Sequence, residues 1–127
     1  MEQKFYRCAH CGKIVALVKE SGVPVMCCGE RMSEIIPSTT DASVEKHVPV
    51  YKVEGNKVYV TVGSTTHPMD NNHYIEWVSL QTKQGNQRKA LKPNLEPTVC
   101  FAICEDDEVE AVYAYCNLHS LWKSNNN

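Results

Sequence analysis

The sequence predicts an all-β chain: a small metal-knuckle domain (residues 1–36), a short linker (37–40) and an immunoglobulin-like antiparallel β-sandwich (41–127). Three observations predict it. The seven cysteines fall in two groups, four from Cys8 to Cys28 and three from Cys100 to Cys116, which points to two separate chemical centres. Beyond the first group, short apolar runs alternate with polar positions and are punctuated by turn residues, the period-two signature of half-buried strands. No segment sustains the 3.6-residue apolar period of a capped helix.

Residues 1–36 carry brief apolar runs, Ile14 to Val18 and Val23 to Met26, too short for a conventional core. A unit of fewer than about 40 residues normally needs a metal or disulfides to fold alone. Cys8-Ala9-His10-Cys11-Gly12 has the two-residue spacing that lets a tight turn aim both sulfurs at one ion, with Gly12 free to take the positive φ of such a knuckle. Cys27-Cys28-Gly29 supplies the second pair, and adjacent ligands are expected to strain the angles of a tetrahedral site. Zinc and iron both accept four thiolates. The pattern therefore fits either a zinc ribbon that only holds the unit folded or a rubredoxin-like iron that passes one electron. His10 reads as a solvent-facing loop residue, because four sulfurs already complete the shell.

Pro37-Ser38-Thr39-Thr40 reads as the linker. After it, strand-like runs occur at 48–53, 58–62, 74–80, 99–103 and 109–115, with Val58, Val60 and Val62 on one face and Tyr59 and Thr61 on the other. Glu54-Gly55-Asn56, Met69 to Asn72, Gln84-Gly85-Asn86 and Glu105-Asp106-Asp107 supply the turns, at spacings typical of a sandwich of about seven strands. Asn125-Asn126-Asn127 reads as a disordered tail.

Four of the five histidines lie in this second part, at strand ends or loops: His47, His67 and His73, and His119 in Cys116-Asn117-Leu118-His119. Imidazoles with one thiolate suit iron or copper better than magnesium or calcium. A blue-copper electron carrier would use two imidazoles, a thiolate and commonly an axial Met. No Met follows His119, and copper would leave two imidazoles unexplained, whereas iron uses them all. Cys100 and Cys104, if in one strand, would stand roughly 13 Å apart, too far for a disulfide or shared chelation. They read as small buried apolar residues. Tyr74, Trp77 and Trp122 read as core or rim aromatics, with Trp77 placed to shield a metal beside His73.

Composition excludes several classes. Net charge is −2 with acids and bases interspersed, which argues against nucleic acid as partner. No run approaches the roughly 18 apolar residues of a membrane span, and Met1-Glu2-Gln3-Lys4 does not open a signal peptide, so a soluble, cytoplasmic protein with reduced thiols is expected.

The strings Glu45-Lys46-His47-Val48-Pro49, Gly63 to Met69, His73-Tyr74-Ile75-Glu76-Trp77 and Cys116-Asn117-Leu118-His119 resemble those of superoxide reductases. With the Cys8/Cys11/Cys27/Cys28 unit, the chain resembles the two-iron family, desulfoferrodoxin, along its whole length and in the same motif order. The resemblance implies a desulforedoxin-like N-terminal domain with an Fe(Cys)4 centre. It also implies a sandwich whose iron is held by four equatorial histidines, His47, His67, His73 and His119, and axial Cys116. It implies reduction of superoxide to hydrogen peroxide, a rubredoxin-like electron donor, a homodimer, and Glu45 as sixth ligand of the oxidised iron. Lys46, next to His47, would add positive charge at the mouth and steer superoxide inward. Two departures stand out: Ser120 where the family usually carries Gly, and Thr65-Thr66 where a small apolar pair is usual. Neither removes a ligand.

Overall fold

The computed structural model describes residues 2–40, 47–63 and 67–124. Glu45, Lys46, Thr65, Thr66 and the three terminal asparagines lie outside them. Among the described residues every regular element is a strand, and no helix is long and apolar enough to cross a membrane. The chain divides into two compact units, Met1–Ile36 and Pro37–Asn127.

The first unit contains β1 (Lys4–Arg7), β2 (Ile14–Leu17), β3 (Met26–Cys27), β4 (Glu30–Arg31) and β5 (Ser33–Glu34). One sheet has the order β2-β1-β5, and β3 pairs with β4 in a separate ribbon. Its buried apolar side chains are Phe5, Cys8 and Met32, while Val18, Val23, Met26 and Ile36 remain exposed. So little burial leaves a unit of this size dependent on a cross-link. The β3–β4 turn has positive φ at Cys28 (52°) and Gly29 (75°). That is the two-residue geometry whose twist matches the strands it joins.

The second unit contains β6 (Pro49–Glu54), β7 (Lys57–Val62), β8 (Ile75–Thr82), β9 (Asn86–Ala90), β10 (Thr98–Ala102), β11 (Val109–Cys116) and β12 (Ser120–Lys123). They form two antiparallel sheets, β10-β7-β6 and β12-β11-β8-β9. This is the expected seven-stranded sandwich. Alternation in β7 is as predicted: Val58, Val60 and Val62 are buried and Tyr59 is exposed. They meet Ile75, Val78 and Leu80 of β8, Phe101 of β10, and Val112 and Ala114 of β11 in a single core. Each Val, Ile, Leu or Phe among them contributes about 1.5–3 kcal/mol on burial.

Strand β9 carries no apolar signature. All five residues of β9 are exposed, and it forms an edge whose polar side chains serve the facing sheet: Gln87 Nε2 donates to Ala102 O (2.8 Å) and Lys89 Nζ to Cys100 O. The carbonyls of β10 thus have partners without a further strand. At the opposite edge, Ser38 bridges Trp122 in parallel, with Ser38 N donating to Leu121 O (3.0 Å) and Lys123 N to Ser38 O (2.9 Å). Cys100 and Cys104 differ from expectation. Cys104 lies past the end of β10 and is exposed, and Cys100 is only half-buried; neither is a packed core residue, because Phe101, flanked by Val99 and Ile103, takes the inner face of β10 and leaves the parity of Cys100 and Cys104 on the outer one.

Candidate metal centres

In the first unit the thiols of Cys8, Cys11, Cys27 and Cys28 converge. The knuckle forms because Gly12 adopts φ 78°, letting its N–H donate to Cys8 O (3.0 Å) while Cys11 N–H donates to Cys8 Sγ (3.5 Å). Cys11 Sγ stands 3.7 Å from Cys27 Sγ, and Cys27 Sγ 3.9 Å from Cys28 Sγ. Four thiolates at about 2.3 Å from a tetrahedral ion have edges of about 3.8 Å, so these spacings suit one metal. Cys28 takes a left-handed backbone in the β3–β4 turn, a conformation costing an L-residue about 1–2 kcal/mol. The Cys11 backbone N–H holds the Cys8 thiol down at about 6, against desolvation that opposes it. Cys28 is pushed up to about 12, chiefly by sharing hydrogen bonds with Cys8, Cys27 and Cys11. His10 faces solvent and pairs with Glu30 (3.1 Å), as a loop residue outside the shell.

The second centre lies at one end of the sandwich. His47 precedes β6 and His67 follows β7; these strands are antiparallel neighbours, so both residues fall at the same end. His73 precedes β8, and Cys116 ends β11, the antiparallel neighbour of β8. A register shift between Tyr115 and Cys116, where Glu76 is the extra residue of β8, bends the ladder immediately before the thiol. Donor atoms of His47, His67, His73 and Cys116 lie within 4.8 Å of one another.

His119 completes the set. Ring centroids are 4.6 Å apart for His47–His67, 4.8 Å for His67–His73, 5.2 Å for His73–His119 and 4.9 Å for His119–His47, with interplanar angles of 62°, 84°, 73° and 76°. Four imidazoles therefore close a cycle in which each meets its neighbours edge-on. Four nitrogens about 2.1 Å from a central ion in one plane are about 3.0 Å from their neighbours; His47 Nε2 and His119 Nδ1 are 3.1 Å apart. Cys116 Sγ is 3.8 Å from the same His119 Nδ1. The thiol is fully buried and shares the inner face of β11 with Val112 and Ala114, so it approaches the cycle from the core side. Donation from His67 Nδ1–H to Pro68 O (2.6 Å) fixes that ring's tautomer and leaves Nε2 with the lone pair. His47 and His67 are buried, His73 is half-buried and His119 is exposed, so the centre opens on the His73–His119 side.

The described sequence-predicted donors thus gather in two clusters. Glu45 and Lys46 lie outside the described residues. Two side chains carry roles that sequence reading did not assign. Trp122 touches two candidate ligands: its ring stacks on His47 at 4.5 Å and 16°, and its Nε1–H donates to His119 O (3.0 Å). Trp77 stacks on Tyr115 (5.5 Å, 6°). Asn117, between the two ligands of Cys-x-x-His, makes three hydrogen bonds around His73. The only sequence signal for either was its closeness to His119 or Cys116.

The chain matches the family described as Desulfoferrodoxin over residues 39–125 and Desulfoferrodoxin, N-terminal domain, over residues 1–35. It is 48% identical over 119 residues to a desulfoferrodoxin homolog of Archaeoglobus fulgidus, covering 94% of each chain. It is 42% identical over 123 residues to a desulfoferrodoxin of Nitratidesulfovibrio vulgaris, covering 97% of this chain and 96% of the relative. The crystal structure of the superoxide reductase from Treponema pallidum superposes with a TM-score of 0.85 at 37% identity, covering 98% of each chain.

Proposed function

The chain belongs to the desulfoferrodoxin family, and from that premise we propose that it is a superoxide reductase, converting superoxide to hydrogen peroxide at the His47/His67/His73/His119/Cys116 centre. The closed cycle of four imidazoles with one buried thiol at its core-side pole carries this reading. Iron belongs in both centres, the four-thiolate one being held by Cys8, Cys11, Cys27 and Cys28.

Iron, held by these five side chains, would supply a one-electron reductant. The protein arranges the rest. Four neutral imidazoles and one thiolate around a ferrous ion sum to a formal charge of +1, which attracts a small anion. Cys116 would hold the iron from the buried, core side, and its thiolate would raise the electron density on the ion. Exposed His119 and Leu118 (60% exposed) place solvent beside the centre, a source for the two protons that each peroxide requires. Lys46, adjacent to His47, draws superoxide in by charge, and Glu45 would offer a carboxylate to the iron when oxidised.

Residues 1–36 form the Fe(Cys)4 domain, 37–40 the connection and 41–127 the catalytic domain. A rubredoxin-like donor returns the electron, and the chain works as a cytoplasmic homodimer. A copper carrier is less well supported, because it would use two imidazoles where four close a cycle; a zinc-stabilised interaction module needs none of them.

Metal analysis of protein from iron-replete cells tests the assignment. Two irons per chain are expected, and zinc alone or copper would overturn it. Cys116→Ser is expected to abolish superoxide consumption while the Fe(Cys)4 centre keeps its iron; loss of only a minor fraction would contradict the shell. Lys46→Ala is expected to slow capture and flatten its ionic-strength dependence, and an unchanged rate would remove Lys46 from the mechanism.

A further inference from the structure

His73 is held differently from the other imidazoles. It precedes β8 by two residues, in a loop closed on itself by Asp70 N–H to His73 O (2.9 Å) and His73 N–H to Asp70 O (3.2 Å). The strand of Cys116 pairs with β8 only from Ile75 onward, so the ladder itself stops short of His73. Asn117 makes the connection. Its backbone N–H donates to Tyr74 O (3.2 Å), its Oδ1 accepts from Tyr74 N–H (3.0 Å), and its Nδ2–H donates to Asn72 O (3.0 Å). One amide side chain therefore grips both sequence neighbours of His73, and its own backbone is the peptide that follows Cys116.

We propose that Asn117 is a positioning residue that sets His73 against the Cys116 thiolate, so that this part of the imidazole cycle is held from the thiolate side. The inference rests on the reading of this cluster as an iron centre. Its chemistry follows from the amide: an acceptor and a donor on one planar group satisfy an N–H on one side of His73 and a carbonyl on the other. Alanine makes neither bond. Aspartate keeps the acceptor for Tyr74 and loses the donor to Asn72. Groups that orient metal ligands typically change metal affinity by about 10- to 100-fold when removed.

The test uses the full iron-loaded chain and reads three quantities: the rate at which EDTA removes iron from the second unit, the visible thiolate-to-ferric-iron absorption of the oxidised protein, and the melting temperature of the metal-free protein. Asn117→Ala is expected to speed iron loss by about 10- to 100-fold and to shift the absorption. Asn117→Asp is expected to fall between Ala and the unsubstituted chain. Iron loss and absorption unchanged in both variants would overturn the proposal, as would a lower metal-free melting temperature in Ala with both iron readouts unmoved, since that is the pattern of a purely structural residue. If Ala does not fold, Asp decides alone, with unchanged iron loss and absorption counting against the proposal. Failure of the unsubstituted chain to take iron into the second unit would instead remove the iron-centre reading itself.

Discussion

Ser120 closes the Cys116–His119 loop with φ 68°, a left-handed backbone on a residue that carries a Cβ. Its side chain is exposed and opens β12 opposite Cys116. This conformation costs an L-residue about 1–2 kcal/mol, and glycine escapes the cost. Glycine also gives the unfolded chain more freedom, which returns about 0.4–1 kcal/mol of that gain. Ser120→Gly is therefore expected to stabilise the second unit by about 0.5–1 kcal/mol. At about 4–8 °C per kcal/mol for a domain of this size, its melting temperature should rise by about 2–8 °C. The melt is best followed on metal-free protein, where iron binding adds no linked stability. Ser120→Val, β-branched at the same φ, should move the other way. An unchanged or lower melting temperature in the glycine variant would refute the strain at this position. The usual glycine of the family then has a physical reason: the loop that spaces Cys116 from His119 needs a left-handed residue to turn back into β12.

Trp122 touches the centre twice, so Trp122→Leu should speed EDTA removal of the second iron by about 10-fold or more. Trp122→Phe, which keeps the stack on His47 but not the N–H to His119 O, should lie between, and a leucine variant that retains iron normally would exclude the role. For the four-thiolate site, loading the metal-free protein near pH 7.5 should displace protons from Cys27 and Cys28, whose pKa values are raised, but not from Cys8, already a thiolate above about 6. Lowering the pH through 6 protonates Cys8, so binding weakens and proton release per metal increases. Calorimetry in two buffers of different ionisation enthalpy measures this, and release that is the same at pH 7.5 and 5.5 would contradict it. Gln87→Ala with Lys89→Ala should leave the iron centres intact yet promote association through the uncovered β10 carbonyls, visible in light scattering; an unchanged monomer–oligomer balance would rule out edge protection.

Legibility followed the physics of each element. Val58, Val60 and Val62 announced β7 because burial on one face imposes a period of two, whereas Asn86 to Ala90 announced nothing, because an exposed edge strand has no such constraint. Ligand chemistry was readable for a similar reason: few roles other than metal binding call for Cys-x-x-Cys beside a double cysteine, or four imidazoles beside a thiol. Second contacts were not readable. Asn117 and Trp122 act through geometry that exists only after β8, β11 and β12 are paired, and an Asn or Trp in isolation is an ordinary loop or rim residue. Cys100 and Cys104 were misplaced because parity shows which residues share a face but not which face is buried, and Phe101 with Val99 and Ile103 takes the inner one.

The most direct measurement is the product ratio when the reduced, fully iron-loaded chain meets superoxide in the presence of excess electron donor. A centre that only donates electrons yields one peroxide for each superoxide consumed and evolves no dioxygen. Dioxygen released with half a peroxide per superoxide would show that the same iron also oxidises its substrate, and the assignment as a reductase would then be wrong.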